Sequence, residues 1–357
     1  MSPVFLAGPT AVGKSAVALE LAERLGGEII SVDSMQVYRG LDIGTAKPNP
    51  EEREKISHHL IDVVGFDEPF DAARFVAHAR DAMEQIAARG RRPLFCGGTG
   101  MYFKAWFEGL GTSPTSDPEL RRELESIPLS NLLDELAARD PVAFESIDRD
   151  NARRVVRAIE VIRLTGRPFS EQRTGWRSAE IRGQKSEVSA QSTMHDGLNP
   201  DGEAGGAIAS GSSRREEAHL PNHSEPPDVG CYEDGSPRPS PPFVFCLRRE
   251  REDLRTRIDA RVDAMFSAGL VAETEALLAR GLEQNRTAMQ AIGYRQVVEH
   301  LHGELGLNET IQLIKTKTWQ FARRQKTWFR NQLPVEWVDV SADATASGLA
   351  DNLAAKL

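Results

Sequence analysis

The residues GPTAVGKS at positions 8–15 constrain the fold most strongly, because they match the pattern G-x-x-x-x-G-K-[ST]. The apolar run PVFLAG ends in this segment and predicts a buried parallel strand. The periodic stretch KSAVALELAERLG follows and predicts a helix that stops at Gly26 and Gly27. A glycine-rich turn between a strand and a helix N-terminus directs backbone N–H groups at an anion. The predicted phosphate-binding loop consists of Gly8, Pro9, Thr10, Ala11, Val12, Gly13, Lys14 and Ser15.

The strand–helix alternation continues along the chain and predicts a doubly wound parallel α/β sheet of the P-loop NTPase-like kind. Further strands are predicted at GEIISVDS (27–34), RRPLFCGGTG (91–100), FVFCLRRE (243–250) and VEWVDV (335–340). A helix is predicted at 72–89, and three or four helices between the last two strands. Residues 117–173 are predicted to be helical, with breaks at Pro128 and Pro141.

Residues 177–242 differ from the rest of the chain in composition. These 66 residues include ten Ser, eight Gly and eight Pro and show no periodicity, so we expect a disordered insertion. A regulatory or partner-binding segment is the alternative. The predicted organisation is a first part of a P-loop core (1–115), a helical insertion domain (116–176), the low-complexity insertion (177–242), a second part of the core with C-terminal helices (243–345) and a tail (346–357).

The charge distribution indicates a polyanionic partner even though the net charge is −9. The low-complexity insertion carries −5 of that total. Residues 149–173 contain seven Arg against three acids, and residues 310–330 contain six Lys or Arg and no acid. For the basic helix near Lys315 to Arg330, a solvated charged face is the alternative to phosphate contact. Its Trp319, Phe321, Trp328 and Phe329 are predicted to lie mostly in the core.

The remaining composition predicts a cytoplasmic protein. No apolar run approaches the roughly 20 residues of a membrane helix, and a first strand that begins by Val4 leaves no room for a secretory signal. Of the three cysteines, Cys96 and Cys246 are predicted to be buried in strands. The cysteine spacing shows neither a C-x-x-C pattern nor a metal site, which indicates a reducing compartment.

The strand ends carry the candidate chemistry. Lys14 is a mobile charge for phosphates and Ser15 a ligand for Mg²⁺. The strand that ends in FCGGTG lacks the acid that a phosphate hydrolase normally places there. Asp33, in SVDS, is the candidate acid, either as a general base or as a Mg²⁺ ligand through water, with a turn-capping Asp as the structural alternative. The polar loop after it (34–48) suits acceptor recognition, or is an ordinary surface loop.

Five segments in this order and spacing resemble the tRNA dimethylallyltransferase (tRNA isopentenyltransferase) family, bacterial type: GPTAVGKS, SVDSMQVYRGLDIGTAKP, GGTGMY, AIGYRQ and KTKTWQFARRQKTWFR. The resemblance covers nearly the whole chain outside the insertion, and no zinc-finger ligands follow the core. It implies transfer of a dimethylallyl group from dimethylallyl diphosphate to N6 of adenosine 37, beside the tRNA anticodon, with Mg²⁺ as cofactor.

The resemblance also implies residue roles. Lys14, Ser15 and Mg²⁺ would neutralise the leaving diphosphate, and Asp33 would take the N6 proton. Thr10 would line the site, and Arg257 would bind the diphosphate, although its spacing alone favours a solvated helix face. The implied tRNA-binding residues are Asp33, Ser34, Met35, Gln36, Thr99, Arg121, Asn151, Arg153, Arg154, Arg157, Gln290, Ala291, Ile292, Gly293, Tyr294 and Arg295.

Three alternatives remain open on the sequence. An adenylate isopentenyltransferase of the cytokinin type would share the phosphate loop and the acid, but the basic segments favour a polyanionic acceptor. A small-molecule P-loop kinase would leave the SVDSMQVYRGLDIGTAKP resemblance unexplained. A non-catalytic tRNA-binding protein would leave Lys14, Ser15 and Asp33 without a task. A monomer is expected.

Overall fold

The computed structural model describes residues 2–109, 114, 116–172 and 244–357, so the predicted disordered insertion (177–242) lies outside the described residues. The strands are β1 (Val4–Ala7), β2 (Gly27–Val32), β3 (His58–His59), β4 (Arg92–Gly97), β5 (Val244–Arg249) and β6 (Glu336–Val340). They form one parallel sheet in the order β3-β2-β4-β1-β5-β6. The predicted doubly wound parallel sheet is confirmed.

The helices of the described residues are α1 (Lys14–Leu25), α2 (Pro50–Lys55), α3 (Ala72–Ala88), α4 (Gly100–Glu108), α5 (Pro118–Ser126), α6 (Leu129–Arg139), α7 (Pro141–Ser146), α8 (Ala152–Thr165), α9 (Phe169–Gln172), α10 (Arg251–Ser267), α11 (Leu270–Leu278), α12 (Tyr294–Leu301), α13 (Leu307–Gln332) and α14 (Ala346–Ala354). Two short 3-10 turns, Leu282–Gln284 and Ala288–Gln290, connect α11 to α12. No helix among these residues is long and apolar enough to cross a membrane.

The hydrophobic core lies on both faces of the sheet, and β1 shows why its sequence is continuously apolar. Phe5 and Ala7 face the cluster that α3, α4, α12 and α13 cover. Val4 and Leu6 face the opposite cluster, under α1, α10 and α14. A parallel strand buried on both faces has no polar side. The central strand therefore ends, at Ala7, directly in the phosphate-loop segment.

Cys96 and Cys246 lie on the two neighbours of β1. Cys96 is in register with Leu6, and Cys246 with Ala7, so the two thiols point to opposite faces of the sheet. Both are free and buried, as predicted. Burial raises the pKa of the Cys96 thiol to about 11 and that of Cys246 to about 12. Both side chains are therefore neutral packing groups at physiological pH.

Residues 116–172 pack around a hydrophobic cluster of their own, formed mainly by Leu124, Leu132, Leu136 and Ile159. The predicted breaks at proline are real: Pro128 is the N-cap of α6 and Pro141 begins α7. A separate cluster is what a helical insertion requires, although the exact domain boundaries stay predictions.

The predicted tail at 346–357 needs a correction. Residues 346–354 form α14, which is capped by Thr345, and Leu349, Ala350 and Leu353 are buried against the cluster that includes α1. The spacing of these three residues matches one face of a helix. Arg24 of α1 also donates to Asp351 at 2.6 Å. The C-terminal segment is thus a part of the core.

Candidate active site

The phosphate-binding segment leaves β1 and enters α1 through two glycines that no other residue could replace without strain. Gly8 has a φ of 150°, and a Cβ there would lie 2.9 Å from the carbonyl oxygen of Leu247 in β5. Gly13 has a φ of 104° and is the N-cap of α1. These conformations suit glycine. They allow the loop to wrap tightly over the carboxyl end of the sheet, as predicted.

Three cationic side chains hold the backbone carbonyls of this loop. Lys14 Nζ donates to the carbonyl oxygen of Pro9 at 2.6 Å. Arg257 Nε donates to that of Ala11 at 3.0 Å, and Arg249 Nε to that of Val12 at 2.9 Å. Ala11 has a φ of 62°, an uncommon value for a residue with a side chain, so the Arg257 contact supports a strained position. The arginines of β5 and α10 thereby fix the shape of the loop.

A cavity of about 440 Å³ opens beside the loop. Its lining consists of Ala11, Gly13, Lys14, Ser15, Ala16, Arg257, Ala260 and Arg261. Arg257 and Arg261 are four residues apart on α10 and so lie on the same helix face. Three cations and a helix N-terminus around one cavity form a site for a multiply charged anion such as a diphosphate. The structure places Lys14, Ser15 and Arg257 together, as the resemblance implied.

Arg261 is a site residue that the sequence argument did not identify. The only signal was its spacing from Arg257 in LRTRIDARV. Burial lowers the pKa of Arg261, and the Asp33 carboxylate opposes that shift. Burial, and also the charge of Arg261, lower the pKa of Lys14 to about 8, again against the opposing effect of Asp33. The side chains around the cavity therefore carry an excess of positive charge.

Asp33 follows β2 at the edge of the sheet where the phosphate loop lies. Its Oδ1 accepts the backbone N–H groups of Met35 at 2.8 Å and Gln36 at 3.2 Å. The turn-capping role is thus real for this oxygen. Among the residues that the structure describes, Oδ2 receives no hydrogen bond. One oxygen can hold the turn while the other is available for proton transfer.

The turn after β4 lies against the Asp33 turn. Thr99 Oγ1 accepts the N–H of Ser34 at 3.1 Å, and the Thr99 N–H donates to the carbonyl oxygen of Val32 at 3.2 Å. A Cβ at Gly97 would overlap the Val32 carbonyl, which explains the glycine at this close approach of two strands. Thr99, Ser34 and Asp33 therefore form one continuous rim at the carboxyl end of the sheet.

The polar loop after Asp33 is folded inward. Gln36 accepts from Ser31 Oγ at 2.8 Å and donates to the carbonyl of Thr45 at 3.2 Å. The side chain of Lys47 is only 2% exposed and pairs with Asp42 at 2.7 Å and Asp62 at 2.5 Å. The loop therefore has a defined shape that its own hydrogen bonds and ion pairs maintain. Most of its polar groups stabilise the loop itself, and Ser34 and Met35 remain half-exposed beside Asp33.

The candidate RNA-contacting arginines of the helical region fall into two groups. Arg157 donates to the fully buried Glu160 at 2.8 Å and to the carbonyl of Pro114 at 2.6 Å, and Arg121 lies 3.8 Å from the same carboxylate. Arg153 and Arg154 are exposed on α8. Asn151 caps that helix by accepting the Arg154 N–H at 3.3 Å. Of these four arginines, only Arg153 and Arg154 make no ion pair with the described residues.

In the turn at 290–295, Gln290 and Arg295 are exposed, whereas Ala291, Gly293 and Tyr294 are buried and Ile292 is half-buried. Arg153 donates a hydrogen bond to Gln290, which joins this turn to α8. The exposed positions remain candidates for an RNA contact.

The assignment of Tyr294 as a tRNA-binding side chain needs a correction, because Tyr294 is fully buried. Its hydroxyl donates to Glu273 at 2.5 Å and accepts the Gly44 N–H at 2.9 Å. Its ring packs directly against Gly44, where any Cβ would overlap it. Burial, followed by the Glu273 contact, raises the pKa of Tyr294. Tyr294 therefore anchors the polar loop from behind.

Helix α13 carries the basic segment. Phe329 is fully buried, and Trp319 and Trp328 are half-buried, but Phe321 is 37% exposed, contrary to its expected place in the core. Arg323 and Arg324 are exposed and make no ion pair with the described residues; Arg324 lies over the Phe321 ring. They line an open groove of about 490 Å³ next to Trp328. This face has the charge that phosphate contact needs.

The donor set suits a magnesium ion held together with phosphate oxygens. Ser15 lies exposed in the first turn of α1 and lines the cavity. No group of three or more His, Cys, Asp or Glu side chains that could hold a metal ion occurs in the described part of the chain. A hydroxyl and ligand phosphates are the hard oxygen donors that Mg²⁺ prefers.

Comparisons with known proteins agree with this geometry. A family model described as IPP transferase matches residues 36–196 and 215–332, more than half of the chain. The chain is 40% identical over 337 residues to tRNA dimethylallyltransferase 1 of Trichlorobacter lovleyi, covering 93% of this chain and 92% of that protein. It is 41% identical over 340 residues to tRNA dimethylallyltransferase of Geobacter metallireducens, covering 94% and 92%.

Solved structures show the same fold. The full-length tRNA isopentenylpyrophosphate transferase of Bacillus halodurans matches with a TM-score of 0.61 and 32% identity, over 99% of this chain and 96% of that one. A eukaryotic dimethylallyltransferase acting on tRNA matches with a TM-score of 0.68 over 99% of this chain and 79% of that one; at 24% identity it supports the fold alone. The chain therefore belongs to the IPP transferase family, which confirms the resemblance, the fold class and the transferase activity predicted from its sequence.

Proposed function

We propose that this protein transfers a dimethylallyl group from dimethylallyl diphosphate to N6 of adenosine 37 of a tRNA and releases diphosphate. The observation that carries this proposal is the juxtaposition of Lys14, Arg257 and Arg261 around one cavity with the Asp33 carboxylate beside it. The similarity to proteins named tRNA dimethylallyltransferase supports the same reaction.

The cavity suits a diphosphate leaving group. In the reaction N6 attacks C1 of the dimethylallyl group, the C1–O bond breaks, and its electron pair leaves with the diphosphate. Lys14, Arg257, Arg261 and the α1 N-terminus all face the place where this negative charge grows. Bound Mg²⁺, held by Ser15, would supply further neutralisation of the diphosphate. No nucleotide needs to be hydrolysed.

Asp33 supplies the base on the acceptor side. Its Oδ2 would take the N6 proton while Oδ1 keeps the turn in place. Adenosine 37 must leave the stack of the anticodon loop to reach this point, which costs a few kcal/mol. Ser34, Met35 and Thr99 form the rim that the extruded base would meet. Protonation of Asp33 and departure of diphosphate then complete the proton and charge balance.

Exposed cations would hold the tRNA. Arg153 and Arg154 are exposed on α8, Arg295 on α12, and Arg323 and Arg324 on α13. The protein would act as a monomer. Cations of this kind contact phosphates and give salt-dependent binding. This arrangement favours a polyanionic acceptor over free AMP.

The test is a side-by-side transfer assay with Mg²⁺ and labelled dimethylallyl diphosphate. One reaction contains a tRNA with A36-A37-A38 in its anticodon loop, the second the same tRNA with G37, and the third AMP. We expect label only in the first. Transfer to AMP with none to the tRNA would overturn the acceptor assignment, and ATP-dependent phosphorylation of a small molecule without prenyl transfer would favour a kinase.

A further inference from the structure

Gln325 connects the two halves of the site from α13. Its side chain is buried, and its Oε1 accepts the N–H of Thr10 at 2.8 Å while its Nε2 donates to the carbonyl oxygen of Gly98 at 2.9 Å. Thr10 belongs to the phosphate loop, and Gly98 belongs to the turn after β4. The side-chain amide of Gln325 thus connects the phosphate loop, which would bind dimethylallyl diphosphate, to the turn that carries Thr99.

The arrangement admits only one orientation of the amide. Reversing it would point Nε2 at the Thr10 N–H and Oε1 at the Gly98 carbonyl, so both hydrogen bonds would become repulsive contacts. Gly98 also makes room for the group, because a Cβ at this position would overlap Gln325 Nε2. The two backbone groups require one donor and one acceptor at a fixed separation, which is what a glutamine supplies.

One further hydrogen bond connects this contact to the Asp33 turn. Thr99, next to Gly98, accepts the N–H of Ser34, and Ser34 adjoins Asp33. The phosphate loop, Gln325, the β4 turn and the Asp33 turn therefore form one connected series. A shift of the loop relative to the turn would change the distance between the donor carbon and the base.

We propose that Gln325 is a positioning residue that fixes the phosphate loop relative to the Thr99 turn and so aligns dimethylallyl diphosphate with adenosine 37 for transfer. This inference rests on the proposed function. Gln325 does not line the anion cavity described above. Its loss should therefore affect the rate of transfer more than the binding of either substrate.

The first experiment replaces the amide by an apolar side chain of similar length. In Gln325→Met we expect kcat for tRNA prenylation to fall by about 10- to 100-fold, the scale of rate loss from misalignment. The KM for dimethylallyl diphosphate and the Kd for tRNA should stay within about twofold, the pattern of an interaction used only in the transition state. Gln312→Met, at an exposed position of the same helix, is the matched control and should behave as the wild type.

A second variant separates positioning from a general loss of structure. A carboxylate in Gln325→Glu can accept from Thr10 but cannot donate to Gly98, whereas the protonated carboxyl can do both. Burial raises the pKa of such a carboxyl. We therefore expect the activity of Gln325→Glu, relative to wild type, to recover at least severalfold as pH falls from 8.5 to 6, a gain that Gln325→Met should not show.

A third variant breaks the same contact from the other side. Gly98→Ala should displace the Gln325 amide and lower kcat similarly, and the double variant Gln325→Met/Gly98→Ala should be no slower than the worse single variant. Gln325→Met at the wild-type kcat, a pH-independent ratio for Gln325→Glu, or additive losses in the double variant would each overturn the positioning role. A wild-type protein that transfers no prenyl group would instead refute the proposed function itself.

Discussion

Arg261 lies one helical turn after Arg257 on α10, and both residues line the cavity that Lys14 and the phosphate loop enclose. Arg257 is also tied to the loop through the carbonyl of Ala11, whereas Arg261 makes no hydrogen bond with the described residues. The N–H donors of Arg261 are therefore available for a ligand. A guanidinium that lines a cavity and has no hydrogen-bond partner can bind an anion there.

Replacement of Arg261 tests this role. We expect Arg261→Met to raise the KM for dimethylallyl diphosphate by about 10- to 100-fold, since hydrogen bonds to charged groups contribute about 1.5–3 kcal/mol. The affinity for tRNA should not change. Steady-state kinetics with both substrates measures the effect, and Arg255→Met, on the outer side of α10 beside Trp319, is the control. An equal effect of the two variants would contradict the assignment.

Two variants of Asp33 separate the turn-capping role of its side chain from its proposed role as the general base. Asp33→Asn keeps an oxygen that can accept the N–H groups of Met35 and Gln36, but it has no basic oxygen. We expect its transfer rate to fall by at least about 100-fold with little change in stability, the range of general-base contributions. Asp33→Ala removes both roles and should also lower the melting temperature. Single-turnover rates and calorimetry measure the two effects, and an active Asn variant would exclude the base.

The lowered pKa of Lys14 predicts that the protein takes up a proton when it binds dimethylallyl diphosphate. In the protein without ligand this pKa is lowered to about 8 by burial and the charge of Arg261. A bound diphosphate favours the charged form and so raises the pKa. Above pH 8, binding should therefore take up a proton, and affinity should fall as pH rises from 8 to 9.5. Calorimetry in buffers of different ionisation enthalpy measures the uptake, which Lys14→Arg should abolish because its guanidinium does not titrate.

The buried Tyr294 and the exposed Arg295 should respond in opposite ways. Tyr294→Phe leaves Glu273 and the Gly44 N–H without their shared partner, so we expect a loss of about 1–3 kcal/mol in the free energy of unfolding. Arg295→Gln should leave stability unchanged and weaken tRNA binding, with a smaller dependence on salt. Urea denaturation and tRNA binding at two salt concentrations distinguish them. Weaker binding by folded Tyr294→Phe alone would restore Tyr294 as an RNA contact.

The same contrast applies to two arginines of α8. Arg157 is held by the buried Glu160, so Arg157→Gln leaves a buried carboxylate short of a partner and should destabilise the protein. Arg154 has no such partner among the described residues, and Arg154→Gln should reduce only tRNA affinity. Thermal unfolding and filter binding test the pair. A stable Arg157→Gln protein with weakened tRNA binding would reverse the assignment.

Local pattern was sufficient for the elements around the phosphate loop. The strand at β1, the turn with Gly8 and Gly13 and the start of α1 follow from apolar runs, glycine and helical spacing, which are short-range properties. The end of the chain was less clear. Leu349, Ala350 and Leu353 form one helical face, but only contact with α1 shows that this face is buried.

Some of the candidate site residues could also be identified from the sequence. Lys14 and Ser15 follow the loop after β1, and Asp33 follows β2; parallel strands bring such ends to one edge of the sheet. The other residues of the site could not be identified in this way, because they are distant from the phosphate loop along the sequence. Arg249 and Gln325 form hydrogen bonds with the phosphate loop, and Arg261 lines the cavity beside it, although each lies more than 230 residues away along the chain. Only the sheet order β4-β1-β5 and the packing of α10 and α13 bring them there.

The sequence by itself determined the sheet type, the glycine turn of the phosphate loop and the position of Asp33 after β2, because backbone geometry and strand polarity depend on local residues. The tertiary structure decided which polar residues remain available. Tyr294, Arg157 and Lys47 have the same chemical character as residues that could contact RNA. Burial commits the Tyr294 and Lys47 side chains to internal hydrogen bonds and ion pairs, and the half-buried Arg157 is paired with the buried Glu160. A buried polar group must find its partner inside the protein, and that partner is set by packing.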